Sequence, residues 1–211
     1  MSRLGDWLAG WQRQRWLARL REPRFAGLVA TPPPGEYVSL DCEMSSLDPR
    51  TAEILSIAAV KVCGRRIALS GHLQLLVRPS GPIAASSIPI HGLRTQDVAG
   101  GLPLREALAQ LLDFIGPRPV LGYYLEFDLA VIDRALRPWL GVSLPNRRIE
   151  VSALYYARMV HAYRPDVDLS LESMLATLAL PQLPRHDPLN DAVLAALIFL
   201  KLQGQGIPGR P

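Results

Sequence analysis

Asp41 and Glu43 stand two residues apart in Tyr37-Val38-Ser39-Leu40-Asp41-Cys42-Glu43. Side chains alternate along a strand, so Val38, Leu40 and Cys42 share an apolar face and Ser39, Asp41 and Glu43 share the other. Two carboxylates that close raise each other's pKa and oppose folding unless a cation neutralises them. An all-oxygen donor pair selects a hard ion such as Mg2+ or Mn2+. Taken alone, the pair also fits an ordinary strand with one solvated face. Two further groups carry the same double reading. Phe127-Asp128 lies at a strand-to-helix junction, where an acid either points back over the sheet edge or complements the helix dipole. In His186-Asp187-Pro188-Leu189-Asn190-Asp191, Asp187 fits a helix N-cap and Pro188 the first helical residue. Asp191 then falls one turn into the helix. His186 sits just outside it, either free to approach a metal-bound water or an ordinary surface histidine.

The elements that must position these groups follow from pattern. Residues 53–63 are almost all apolar and small or β-branched, as in a strand covered on both faces. Gly64 turns the chain and 66–78 reads as a third strand. Residues 79–101, rich in Pro, Gly and Ser, read as an extended loop. Residues 102–115 carry Leu104, Leu108, Leu111, Leu112 and Ile115 at helical spacing. Pro119 to Tyr123 is a short strand, 125–137 a helix that stops before Pro138, and Arg148 to Val151 a last short strand. Helices at 152–163 and 169–179 precede the final one, which runs from Pro188 to about Leu202. Ala192, Ala195 and Ala196 on it allow close packing on a sheet. Three strands followed by alternating helices and short strands predict an α/β domain with a mixed sheet.

The chain has 211 residues, 49% hydrophobic and 20% charged. It suits one domain that buries a core without disulfides, and these values exclude global disorder. No apolar run is long enough to span a membrane. The first residues carry too many charges for a signal peptide. Cys42 and Cys63 form neither a disulfide framework nor a zinc pattern, so a reducing cytoplasm is expected. Net charge is +4. Residues 1–24 hold six Arg against Asp6 and Glu22, a surplus that equals the whole net charge. Residues 4–21 fit a helix and include three of the four Trp. With Thr31-Pro32-Pro33-Pro34-Gly35 as a stiff break, residues 1–36 read as a basic N-terminal extension, 37–203 as the main domain and 204–211 as a short tail. The extension has three readings: docking on the domain, which would cover its Trp side chains, self-association into a homodimer, or contact with nucleic acid.

The three acidic elements together, in the order Asp-x-Glu, Phe-Asp and His-x4-Asp, are far more specific than any one. In this arrangement the sequence resembles the DnaQ-like family of 3′–5′ exonucleases, in the branch with four acids and a histidine. Leu40 to Pro49 is similar to that family's first motif, particularly its oligoribonuclease form. Ile90-His91-Gly92-Leu93 is similar to its His-Gly segment, Gly122 to Asp128 to its second motif and His186 to Asp191 to its third. The resemblance covers about 37–203. Two departures fall in the motifs. Tyr123-Tyr124 replaces His-Asn, and Ser45-Ser46 replaces Thr and Gly. The tyrosines read either as a stacking surface for a base or as aromatics at a strand end.

The resemblance implies an RNase H-like exonuclease fold, with a central mixed five-stranded sheet flanked by helices. It also implies two divalent ions, Mg2+ or Mn2+, that hydrolyse phosphodiesters at a 3′ end and release nucleoside 5′-monophosphates. On this reading Asp41 bridges both ions, Glu43 and Asp191 hold the ion carrying the attacking water, and Asp128 acts on the leaving side. His186 is the general base, as suits a residue type that ordinarily titrates near neutrality. Met44, Ser45 and Phe127 surround the terminal nucleotide, with His91 nearby. Single-stranded DNA is the favoured substrate and short RNA the alternative; a silent binding module of the same fold is the rival from outside enzymology. The short tail predicts no polymerase partner.

Overall fold

The computed structural model describes residues 3–81, 83, 92–159 and 166–204. His91, the end of the helix expected at 152–163 and the tail beyond 204 lie outside the described residues. Among those described, no helix is long and apolar enough to cross a membrane.

Strand β1 (Glu36–Met44) sits at the middle of a five-stranded sheet. It pairs antiparallel with β2 (Ile54–Cys63) and parallel with β4 (Val120–Gly122). Strand β3 (Arg66–Leu76) closes one edge beside β2, and β5 (Arg148–Glu150) the other beside β4, giving the order β3-β2-β1-β4-β5. The mixed sheet is the one expected.

Both faces of the centre are covered. Val38, Leu40, Cys42 and Met44 of β1 join the core built by α3 (Leu104–Ile115) and α4 (Leu125–Leu140). The opposite face of the sheet meets α7 (Pro188–Gly204), whose Ala192 and Ala196 pack on Val60 and Val62. Ser39 is fully buried there and donates from Oγ to the Ala192 carbonyl at 2.6 Å. The polar face of β1 is therefore not a solvated one. Small residues on α7 let the helix backbone come close enough to accept from a strand side chain, which satisfies the hydroxyl that burial would otherwise leave unpaired.

The remaining helices among the described residues are α1 (Arg3–Arg19), α2 (Thr95–Val98), α5 (Val151–Met159) and α6 (Leu171–Thr177), with a 3-10 turn over Pro23–Val29. Short helix α2 interrupts what reads from composition as a continuous loop. Helix α4 does not stop before Pro138 but continues to Leu140. A proline removes one backbone donor and crowds the preceding turn. Here the last turn is held by burial of Leu136 and Leu140, and by Gly141 in the left-handed region, whose N–H bonds to the Arg137 carbonyl. The chain before β1 completes this end. Arg21 donates its backbone N–H to Leu140 O at 2.9 Å and its guanidinium to Pro138 O at 2.7 Å. Trp16 Nε1 donates to Ser143 O at 2.8 Å, and Phe25 and Leu28 enter the main core.

Gly122 ends β4 where the strand crowds its neighbour. A Cβ at that position would stand 2.7 Å from Leu40 O and 3.1 Å from Leu125. Gly122→Ala is expected to destabilise the fold by about 1–3 kcal/mol, read as a lower urea midpoint with unchanged m-value. An unaltered midpoint would show that β1 and β4 separate freely at this point.

Candidate active site

Three distant segments converge at one end of β1. Asp41 and Glu43 lie on the face turned toward α7, and the β1–β2 register shifts between Glu43 and Met44 as the strand ends. Asp128 is in the first turn of α4 and only 5% exposed. That helix starts at Tyr124, which adopts a left-handed conformation with φ 55°. Glu150 of β5 caps it by accepting the Leu125 N–H at 2.8 Å. Asp191 is in the first turn of α7, where Asp187 accepts the N–H groups of Leu189 and Asn190 at 2.9 and 3.3 Å, the N-cap bonds expected of it.

Asp41, Glu43, Asp128, Asp191 and His186 all line one cavity of about 690 Å3. Met44, Ser45, Tyr123, Tyr124 and Phe127 line it as well. Ser45 Oγ accepts the Glu53 N–H at 2.9 Å, and Ser45 N–H in turn bonds Glu53 O, so this residue also fastens the loop after β1. Arg134 of α4 grips the same loop by donating to the carbonyls of Pro49 and Ala52. Tyr123 is half-buried and donates to Leu169 O at 3.3 Å, whereas Tyr124 is 72% exposed. Their rings meet edge to face at 5.0 Å. Tyr123 is thus anchored in the fold and Tyr124 exposed, and both line the cavity. His186 is exposed, on a left-handed turn with φ 62°.

Sequence reasoning missed Arg185. Its Nε donates to Asp191 Oδ1 at 2.8 Å, and its other end pairs with Glu172. Nothing in the spacing around His186 marks it. Ser46 and Leu47 also line the cavity unassigned; Ser46 Oγ is buried without a partner among the described residues.

The electrostatics are those of a crowded anionic site. Burial, then Asp128, Asp191 and Glu43, push the Asp41 carboxyl well above its ordinary range, and Arg185 opposes the shift. Burial, then Glu43 and Glu150, do the same to Asp128. Glu43 is pushed from 4.5 to about 7, first by burial and then by Asp191 and Asp187. Asp191 is raised by burial against the pull of Arg185 and His186. Among the described residues no three Asp, Glu, His or Cys side chains are drawn together as an ion cage. Arg185 supplies positive charge beside them through its bond to Asp191. The donor set is carboxylate oxygen, and its need is positive charge, so hard divalent ions fit it.

The exonuclease family model RNase_T matches residues 38–199. The chain is 30% identical over 167 residues to a DNA polymerase III PolC-type protein of Thermotoga maritima, covering 78% of this chain but 12% of that one. It is 27% identical over 169 residues to the DNA polymerase III subunit epsilon of Aquifex aeolicus, covering 80% of each. It is 26% identical over 138 residues to the oligoribonuclease of Tropheryma whipplei, covering 60% of this chain and 74% of that one. Exonuclease X, solved with 5′-overhanging duplex DNA, superposes with a TM-score of 0.63 at 21% identity, over 81% of this chain and 95% of that one. The fold is the RNase H-like exonuclease fold.

Raised carboxyl pKa values give the metal-free protein a definite pH dependence. Between about pH 4.5 and 7 the folded state keeps a proton on Glu43 that the unfolded chain has released. Stability is therefore present at low pH and lost as pH rises through that window, by at most about 3 kcal/mol before solvent screening reduces it. Unfolding midpoints in EDTA from pH 5 to 7.5 should fall, and added Mn2+ should restore them most at pH 7.5. A metal-free midpoint that rises across this range would contradict the repulsion.

Proposed function

The chain belongs to the RNase_T exonuclease family, the DnaQ-like group, and from that membership we propose a metal-dependent 3′–5′ exonuclease acting on single-stranded ends. The observation that carries the reading is the meeting of four acids and a histidine, from three distant segments, in a single cavity. Asp41, Glu43, Asp128 and Asp191 would hold two divalent ions, Mg2+ or Mn2+. When bound, such ions neutralise the scissile phosphate and lower the pKa of an attacking water.

The chain's own residues do the rest. His186, exposed at the cavity lip, accepts the proton released by the attacking water. Exclusion of bulk water falls to Phe127 and Met44, apolar side chains that line the cavity with the acids. Tyr124 offers a face on which a base stacks. The product is a nucleoside 5′-monophosphate. Charge outside the N-terminal segment is balanced, which favours a short single-stranded end over nonspecific duplex binding.

DNA is the favoured substrate, since relatives include components of DNA polymerase III. Short RNA is the second reading, supported by the likeness of Leu40–Pro49 to the oligoribonuclease motif and by an oligoribonuclease among the relatives. Initial rates on matched 5′-labelled DNA and RNA oligonucleotides separate the two.

Asp41→Asn is nearly isosteric and removes one buried charge. It should abolish hydrolysis, with a fall of more than about 10^3-fold, while the metal-free protein melts no lower than wild type. Full activity in a purified Asp41→Asn protein would remove the proposal.

His186→Ala should lower kcat by about 10^2 to 10^4 and leave the Mn2+ requirement where it is. A large rise in the Mn2+ concentration needed for half-activity would instead make His186 a ligand.

A further inference from the structure

At the far end of α4 from Asp128 lies a second groove, of about 500 Å3, between α1 and the turn after α4. Three arginines line it, Arg15 and Arg19 from α1 and Arg137 from α4, together with Trp11 and Trp16. No acid is among its described lining residues. Trp16 is fastened to Ser143 and forms the floor. Trp11 is 48% exposed, with the Arg15 guanidinium 4.5 Å from its ring centroid. Among the described residues Arg137 spends only Nε, on Ser143 Oγ at 2.9 Å.

Each feature has a separate structural explanation, but the combination does not. Arginines at a helix C-terminus complement its carbonyls, and Arg21 already does so here through Pro138 O. Arg15, Arg19 and Arg137 are surplus to that task. Guanidinium groups fork onto phosphates, and an exposed indole with a stacked arginine is a platform for a base. We infer that this groove is a second binding site for single-stranded nucleic acid, which holds the substrate strand away from the catalytic cavity. Trp11 and Arg15 stack on a base, while Arg19 and Arg137 take the flanking phosphates. Two of the six arginines before residue 25, Arg15 and Arg19, thereby gain a purpose. The inference rests on the proposed exonuclease activity.

Length gives the test. Helix α4 has 16 residues, about 24 Å at 1.5 Å per residue, or roughly seven nucleotides of a stacked strand at ~3.4 Å each. A dinucleotide in the cavity cannot reach the groove and a 20-mer can. The experiment compares wild type, Arg15→Ala/Arg19→Ala and Trp11→Ala on a dinucleotide and on a 20-mer, with anisotropy of the labelled 20-mer measured in EDTA at several salt concentrations. Both variants should match wild type on the dinucleotide and raise KM for the 20-mer about tenfold. The double arginine variant should also flatten the salt dependence of binding by about 0.7 per lost phosphate contact, whereas Trp11→Ala should weaken binding without changing that slope. Unchanged KM and slope on the 20-mer would overturn the groove as a nucleic-acid site, as would an equal loss on both substrates. If wild type cleaves neither substrate, the exonuclease reading fails, and the anisotropy data still decide whether the groove binds the strand.

Discussion

Four carboxylates face one cavity at the end of β1, and their mutual repulsion is what the surrounding structure must contain. Burial makes the problem worse, since a charged oxygen loses water that the single guanidinium of Arg185 replaces only in part. Two of the acids, Asp41 and Asp128, are held largely by stiff elements, a central strand and the first turn of a long helix. Asp191 is fixed by the N-cap of α7, and Arg185 lends it a positive partner. The fold thus concentrates negative charge where its backbone is least able to relax, which is the arrangement that gives a divalent cation the largest gain on entry.

The sheet makes that rigidity possible. β1 pairs along its length with β2 and at Val38 and Ser39 with β4, and helices cover both faces there, so the backbone that carries the two carboxylates is held in place. Ser39 shows how close the cover is, because its hydroxyl bonds directly to the backbone of α7. The alanines of that helix are the reason. A larger side chain at Ala192 or Ala196 would lift α7 and carry Asp191 away from Asp41.

Much of this was legible in the sequence. Alternation along 37–43 put Asp41 and Glu43 on one face, helical periodicity found α3, and the Asp187-Pro188 start signal found α7. What alternation cannot reveal is which face is covered, and the polar one proved to be pressed beneath α7. Pro138 was misread because proline's cost in a last turn is small when burial of Leu140 and a following glycine hold the end. Arg185 was invisible because ion pairing depends on where a loop folds back, and no local period encodes that. The resemblance to a known family supplied the candidate site; the residues alone left each acid with an ordinary surface reading.

Arg134 carries a consequence of its own. It stands on the same helix as Asp128 and clasps two carbonyls of the segment that follows Glu43. The floor and one rim of the cavity are therefore riveted to a single rod. A tilt of α4 would carry Asp128 and that segment together, as one rigid lever.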